Sequence, residues 1–247
     1  MRFIGMAAAG LALIGASAAG ARDGVVQRRS VVAVIDSGVA RTAELGGRVV
    51  AEYDMAASPA RPAFHPASDH GTMVATILAR AASAPVDIVS LRVDDPAGCP
   101  PGAQAPCVRS VHTVAAAIRQ ATRLKVDAIN LSLAMADHPA IADAVRDAAR
   151  HGITVVMAAG NDGADHPGNL RLARAAYPNG VLVGAVDAAG VAWTGTNRPD
   201  AATPAGYHYS WQLGVAVPTA LADGRPVTGT GTSFAAPIET AKRLSLR

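Results

Sequence analysis

The chain alternates between short apolar runs and amphipathic segments along most of its length. The run VVAVID at residues 31–36 is typical of a strand that is buried on both faces, as in a parallel sheet. Residues 140–151 instead place Ile141 and Val145 on one face of a helix, with Gly152 as its C-cap. Because crossovers between parallel strands are right-handed, this alternation predicts a three-layer α/β fold, in which a mostly parallel central sheet carries helices on both faces.

The predicted elements follow one another in the order that such a fold needs. Apolar runs predict strands at residues 31–36, 48–54, 86–93, 126–133, 153–159 and 181–187. Periodic segments predict helices at residues 71–82, 111–124, 140–151 and 233–245. The chain has 247 residues and shows no internal repeat or low-complexity linker, so we expect one domain over residues 22–247.

Composition indicates which residues build the core and which classes of function are unfavourable. Half of the residues are apolar but only 4% are aromatic, so alanine and valine must build most of the core. The net charge of +3 is modest and the basic residues are dispersed, which argues against a nucleic-acid partner. The segment after the first strand, DSGVA at 36–40, lacks the glycine pattern of a dinucleotide-binding turn.

The N-terminus has the pattern of a signal peptide. Arg2 precedes an uncharged run at residues 3–21, and small residues offer cleavage after Ala18 or Ala21. The run is long enough for a membrane anchor, but it is mostly alanine and glycine, which favours a cleaved signal over a stable anchor. We therefore expect an exported protein, either periplasmic or secreted.

Cys99 and Cys107 are the only cysteines, and they lie in a loop rich in proline and glycine. In an exported protein, two nearby cysteines favour a disulfide, with a pair of free thiols as the alternative. Neither is flanked by a metal-ligand pattern, so the sequence predicts no metal site there.

Four polar residues stand at the ends of predicted elements. Asp36 and Asn161 each follow an apolar strand, His70 opens a helix, and Ser233 lies among small residues where the last helix begins. The carboxyl ends of parallel strands meet at one edge of the sheet, where α/β proteins place their sites. A hydroxyl at a helix N-terminus, an imidazole, a carboxylate and an amide are the groups that nucleophilic acyl transfer needs.

The motifs around these residues occur in a recognisable order. They are DSG at 36–38, HGT at 70–72, AGN at 159–161 and GTSFAAP at 231–237. In this order the chain resembles the subtilisin-like (subtilase) serine proteases, from about residue 31 to the C-terminus. Other triad families arrange their three residues in different chain orders.

The resemblance implies an exported serine endopeptidase that acts on protein or peptide substrates through an acyl-enzyme. Ser233 would be the nucleophile, His70 the base and Asp36 the orienting anion. The Asn161 amide would bind the oxyanion with the Ser233 N–H, and substrate would lie extended against the backbone of Ser132, Leu133 and Ala134.

Several departures from the family pattern support a second hypothesis about function. Met73 and Thr76 replace a histidine and a glycine of the family, and Ala134 stands where a glycine often gives room beside the substrate. We expect no pro-domain between residues 22 and 35. The chain would then fold unaided, use a separate inhibitor or folding helper, or belong to a lineage that does not mature by self-cleavage. Only the family resemblance suggests calcium as a cofactor. The sequence has no loop with calcium-binding spacing, so we expect no cofactor. The alternative function is a non-catalytic peptide-binding protein on the same scaffold.

Overall fold

The computed structural model describes residues 28–103, 106–202 and 205–246. The predicted signal segment, residues 1–21, lies outside the described residues. Among the helices of the described ranges, none has both the length and the apolar composition to cross a membrane.

Within those ranges seven parallel strands form one sheet in the order β2-β3-β1-β4-β5-β6-β7. The strands are β1 (Ser30–Asp36), β2 (Val49–Asp54), β3 (Val86–Arg92), β4 (Ala128–Leu131), β5 (Thr154–Ala158), β6 (Gly180–Val186) and β7 (His208–Leu213). The helices are α1 (His70–Ala81), α2 (Val111–Arg123), α3 (Pro139–Arg150), α4 (Leu170–Ala175) and α5 (Thr232–Leu244). A separate antiparallel hairpin joins β8 (Val217–Ala220) to β9 (Pro226–Gly229).

Both faces of the sheet are covered by helices, which confirms the predicted three-layer fold. In β1, Ala33 and Ile35 pack into a cluster with residues of α2, α3 and α4. The alternate residues Val32 and Val34 pack on the opposite face, against α1 and α5. This alternation explains why the strand is apolar throughout: successive side chains point to opposite faces and both faces are buried.

Four elements were missing from the predicted set: α4, β7, β8 and β9. Strand β7 reads HYSWQL, and it is an edge strand whose side chains stay partly exposed, so it lacks a continuous apolar run. Helix α4 has six residues, too few for a periodic pattern to show. The prediction for β4, residues 126–133, was too long, since the strand is confined to Ala128–Leu131.

The carboxyl edge of the sheet gathers the predicted polar residues. Asp36 is the last residue of β1, Ser132 follows β4 and Asn161 lies just beyond β5, and these three strands are neighbours. Helices α1 and α5 pack beside each other on one face, and both begin at this edge. The fold thereby brings His70, the first residue of α1, close to Ser233 in the first turn of α5.

Candidate active site

Asp36 and His70 form a buried pair. The Nδ1 atom of His70 lies 2.8 Å from Oδ1 and 3.0 Å from Oδ2 of Asp36. The Asp36 side chain is fully buried, whereas 15% of the His70 side chain is exposed. Because a carboxylate can only accept, Nδ1 carries the proton in this pair, and Nε2 of the neutral ring is left as an acceptor.

The pair shifts the titration of the imidazole. Burial lowers the pKa of His70, but the charge of Asp36 and the hydrogen bond to it raise the pKa by more. The pKa therefore lies above the ordinary histidine value. The site thus stabilises the imidazolium form, which a base must adopt after it takes a proton.

The start of α1 lies very close to the loop after β1. A Cβ atom on Gly71 would come within 2.3 Å of the Gly38 carbonyl oxygen, so only glycine fits there. Ser37 links the two segments, because its hydroxyl accepts from the Gly71 N–H at 3.1 Å and donates to the Ser68 carbonyl at 3.1 Å. This close approach brings His70 into reach of Asp36.

Ser233 is held to the end of β4 by reciprocal hydrogen bonds. Its hydroxyl donates to the Ser132 carbonyl at 3.2 Å, and the Ser132 hydroxyl donates to the Ser233 carbonyl at 2.7 Å. The Asn130 amide donates to the Ser132 hydroxyl at 3.0 Å, and the Thr240 hydroxyl donates to Asn130 Oδ1 at 2.9 Å. A buried chain of hydrogen bonds thus connects α5 to β4 at two points.

Asn161 presents its amide nitrogen as an unused donor. The N–H and the hydroxyl of Thr232 both donate to Asn161 Oδ1, each at 2.9 Å. This fixes which end of the amide faces Thr232, so Nδ2 points away from it. In the part of the chain that the structure describes, no hydrogen bond involves Asn161 Nδ2. Such a donor beside a serine at a helix start is suited to a developing oxyanion.

One cleft of about 430 Å³ contains nearly all of the predicted site. It is lined by His70, Ser132, Leu133, Ala134, Asn161 and Ser233, together with Pro106, Thr230 and Phe234. Asp36 lies behind His70, inside the protein. The structure therefore brings the predicted residues together at one place.

Phe234 and Asn169 also shape this site, and the sequence analysis gave neither a role. The Phe234 ring lies tilted at 5.5 Å from the His70 ring. The Asn169 amide donates to the carbonyls of Leu133 at 3.2 Å and Ala158 at 2.9 Å, and its oxygen accepts from the Met135 N–H at 3.2 Å. It joins the segment after β4 to the end of β5. Its backbone is left-handed, with φ 59°, a conformation that asparagine tolerates and that only the structure reveals.

Cys99 and Cys107 form a disulfide, with their Cα atoms 5.3 Å apart. The prediction of a disulfide is thus met by the structure. The loop that the disulfide closes includes Pro106, which lines the cleft. The disulfide therefore closes a loop that contributes one residue, Pro106, to the wall of the cleft.

Calcium is raised only by the family resemblance, and the expectation of no cofactor stays a prediction. Over the described ranges, no group of three or more His, Cys, Asp or Glu side chains is arranged to hold a metal ion. Where two carboxylates do approach each other, Arg61 pairs with both Asp54, at 2.7 Å, and Asp94, at 3.0 Å. No step proposed below involves a metal.

Comparison with known families identifies the chain. A sequence profile of the Subtilase family, Peptidase S8, matches residues 27–242. The chain belongs to the subtilase family. A "Subtilisin-like protease 2" of Arthroderma otae is 37% identical over 123 residues, which are 49% of this chain and 27% of that relative. A "Subtilisin-like protease 2" of Trichophyton verrucosum is 36% identical over 122 residues, with the same two coverages. The match thus spans little more than a quarter of these relatives' length.

Solved structures confirm the subtilase fold independently. A cold-adapted subtilisin-like serine proteinase superposes with a TM-score of 0.70 at 24% identity, over 88% of this chain and 76% of that chain. The prenylagaramide maturation protease PagA gives a TM-score of 0.66 at 22% identity, with the same coverages. At these identities the likeness concerns the fold alone.

The packing of Gly71 leads to a prediction about this subtilase. Gly71→Ala should push α1 away from Gly38, lengthen the contact between His70 and Asp36, and lower the His70 pKa toward or below its ordinary value. NMR titration of the His70 imidazole measures this shift. Gly47→Ala is the matched control, because no atom lies within 4 Å of the added Cβ. An unchanged His70 pKa in Gly71→Ala would contradict the account of this contact.

Proposed function

We propose that this subtilase is an exported serine endopeptidase that hydrolyses peptide bonds through an acyl-enzyme. One observation carries the proposal: the imidazole paired with Asp36, the Ser233 hydroxyl and the unused amide of Asn161 all face the same cleft or support it directly. These are a base, a nucleophile and an oxyanion donor, which acyl transfer requires.

In the proposed reaction, Ser233 Oγ bonds to the scissile carbonyl carbon and its proton passes to His70 Nε2. The carbonyl oxygen becomes an oxyanion, which accepts from Asn161 Nδ2 and the Ser233 N–H. The C–N bond then breaks, and the leaving amine takes the proton from His70. Water then attacks the carbonyl carbon of the acyl-enzyme and gives a proton to His70 Nε2. The ester bond to Ser233 Oγ breaks, Oγ takes the proton from His70, and the carboxylic acid product leaves. The Asp36 carboxylate keeps the imidazole oriented throughout.

Substrate would lie extended beside the segment that follows β4. The Leu133 carbonyl is already used by Asn169, whereas the Ser132 carbonyl accepts only from the Ser233 hydroxyl among the described residues. When that hydroxyl turns toward His70, the Ser132 carbonyl becomes free for a substrate N–H. Main-chain pairing of this kind adds the peptide as a further strand.

One observation favours the alternative, a non-catalytic peptide-binding protein. Among the described residues, Ser233 Oγ makes its hydrogen bond to the Ser132 carbonyl and none to His70. Catalytic hydrogen bonds are often loose without substrate and tighten in the complex, so this geometry is compatible with activity. Ala134 stands where the family often has a glycine, and its methyl group takes up room beside the substrate.

Export is supported by the signal pattern at residues 1–21 and by the disulfide, since disulfides persist in oxidising compartments. The proposal covers both a periplasmic and a secreted location. A separate inhibitor or folding helper stays a prediction, as does the single domain over residues 22–247.

A fluorophosphonate probe tests the function directly. We expect the probe to label Ser233 in the folded protein, with casein degradation lost on labelling. Ser233→Ala should show neither, and Asn161→Ala should label and hydrolyse roughly 10²–10³ times more slowly, because one oxyanion donor is removed. Mass spectrometry of the labelled peptide locates the adduct. Absence of labelling, together with peptide binding that Ser233→Ala leaves unchanged, would favour the non-catalytic alternative.

The raised pKa of His70 predicts a pH dependence of kcat/KM. The imidazole must be neutral to act as base, so activity should rise with pH through a midpoint above about 6.5, the ordinary value. In Asp36→Asn, burial is no longer opposed by a charge, so the midpoint should move to lower pH while activity falls by roughly 10⁴-fold. Asp143→Asn, at an exposed site on α3 across the sheet from α1, serves as control. An identical midpoint in wild type and Asp36→Asn would refute this role for Asp36.

A further inference from the structure

Asn197 is a buried residue outside the catalytic cleft. It lies between β6 and β7, and only 3% of its surface is exposed. Its side chain faces the loop that follows β5, which carries Asn161. Since buried amides keep their polar atoms hydrogen-bonded, the partners of Asn197 show which part of the chain it holds.

The Asn197 side chain binds the loop just after Asn161. Its Oδ1 accepts from the Asp162 N–H at 2.9 Å and from the Ala164 N–H at 3.1 Å. Its Nδ2 donates to Asp162 Oδ2 at 3.2 Å. Because backbone N–H groups can only donate, these contacts fix which end of the amide faces the loop. Both polar atoms of the side chain are thus engaged with this loop.

The backbone of Asn197 holds the residue just before Asn161. Its N–H donates to the Gly160 carbonyl at 3.0 Å. A Cβ atom on Gly160 would come within 2.3 Å of Asn197 Nδ2, and Gly160 has a φ of 108°, so only glycine fits there. Asn197 therefore contacts both chain neighbours of Asn161, which are Gly160 and Asp162.

Asn197 is itself anchored to two strands of the sheet. The hydroxyl of the adjacent Thr196, which is fully buried, accepts from the Ala185 N–H of β6 at 3.0 Å. The Tyr209 hydroxyl of β7 donates to the Asn197 carbonyl. These bonds tie Asn197 to the sheet, so that it can act as a fixed support for the loop.

Helix α5 also holds this loop. The Gly160 N–H donates to the Thr232 hydroxyl at 3.2 Å, and Thr232 donates to Asn161 Oδ1 at 2.9 Å. Asn161 thus has two supports, Thr232 on α5 and Asn197 on the sheet. Removing the Asn197 side chain would leave two backbone N–H groups of the loop without their acceptor, which releases the segment after Asn161.

We propose that Asn197 is a positioning residue that sets where the Asn161 amide lies relative to the oxyanion. This proposal rests on the proposed function, because it concerns the proposed oxyanion donor. Asn197 does not line the cleft, so its effect on the reaction passes through Asn161. The oxyanion exists in the transition state and not in the bound substrate. Asn197 should therefore affect kcat and leave KM unchanged.

Single and double variants test this role by kinetics. In Asn197→Ala we expect kcat to fall roughly 10-fold to 10²-fold, with KM changed less than about twofold. In a chain that already carries Asn161→Ala, the same change should cost less than about threefold, because the donor that Asn197 positions is gone. An unchanged kcat in Asn197→Ala, or equal losses in both backgrounds, would overturn the proposal.

Asn179→Ala is the matched control for these measurements. The Asn179 amide donates to the Ala149 carbonyl at 2.8 Å, so this variant also loses a side-chain hydrogen bond of an asparagine. Asn179 precedes β6, at the edge of the sheet opposite to the site. We expect its kcat to equal that of the wild type.

An inhibitor that mimics the tetrahedral intermediate separates positioning from a general loss of structure. In a peptide boronic acid, boron accepts an electron pair from Ser233 Oγ, whose proton passes to His70, and the adduct is a tetrahedral anion. The same peptide ending in a carboxamide binds without a covalent bond. Asn197→Ala should weaken the boronic acid about tenfold and leave the affinity of the carboxamide unchanged. Equal weakening of both ligands would contradict the proposal.

A conservative exchange tests the contact with Asp162, and it also serves if Asn197→Ala does not fold. Asn197→Asp keeps an acceptor for the two backbone N–H groups, but it replaces the donor to Asp162 by a second carboxylate. We expect kcat to fall about threefold or more, as for the loss of one hydrogen bond. Adding Asp162→Asn returns a donor from the other side of the contact and should restore kcat to within about twofold of wild type. No recovery in the double variant would count against the proposal.

A failure of the proposed function gives a different result. If the wild type neither cleaves peptides nor binds the boronic acid, the endopeptidase proposal fails. Amide hydrogen exchange then decides whether Asn197 positions the loop of Asn161. Faster exchange of the Asp162 and Ala164 N–H groups in Asn197→Ala, but not in Asn179→Ala, supports the proposal. Unchanged exchange of both groups in Asn197→Ala overturns it.

Discussion

A buried series of hydrogen bonds runs from Thr240 through Asn130 and Ser132 to the carbonyl of Ser233, and it determines the position of Ser233, the proposed nucleophile. Thr240, Asn130 and Ser132 are at most 2% exposed. Leaving one such group without a partner costs about 1–3 kcal/mol, so the members depend on one another. These hydrogen bonds fix the position of α5 against the end of β4. They thereby fix the distance from Ser233 to the edge where substrate would lie.

Similar contacts hold the other site residues to the sheet. Thr232 uses both of its donors to fix the Asn161 amide, and Ser37 joins the loop after β1 to the N–H of Gly71 at the start of α1. The residues of the proposed site thus come from two helices that pack on one face and from the ends of three neighbouring strands.

The sequence was most informative where burial makes the pattern unambiguous. Strand β1 is apolar on both faces, and the central parallel sheet could be predicted from such runs. Edge strand β7 keeps its side chains partly exposed, so it lacks a continuous apolar run and was missed. In the site, the motifs around Asp36, His70 and Ser233 identified residues that the structure brings together, and their catalytic roles stay predictions. The role of Asn169 could not be predicted, since its three partners lie on segments that only the fold brings together.

The central claim is that Asp36, His70 and Ser233 act as one unit, and kinetic coupling between variants tests it most directly. Activity on one peptide would be measured for His70→Ala, Ser233→Ala and the double variant. Residues that act together are non-additive, so we expect the double variant to be no slower than either single variant, each about 10⁶-fold below wild type. Losses that multiply in the double variant would show that the two residues contribute independently, and would contradict the account.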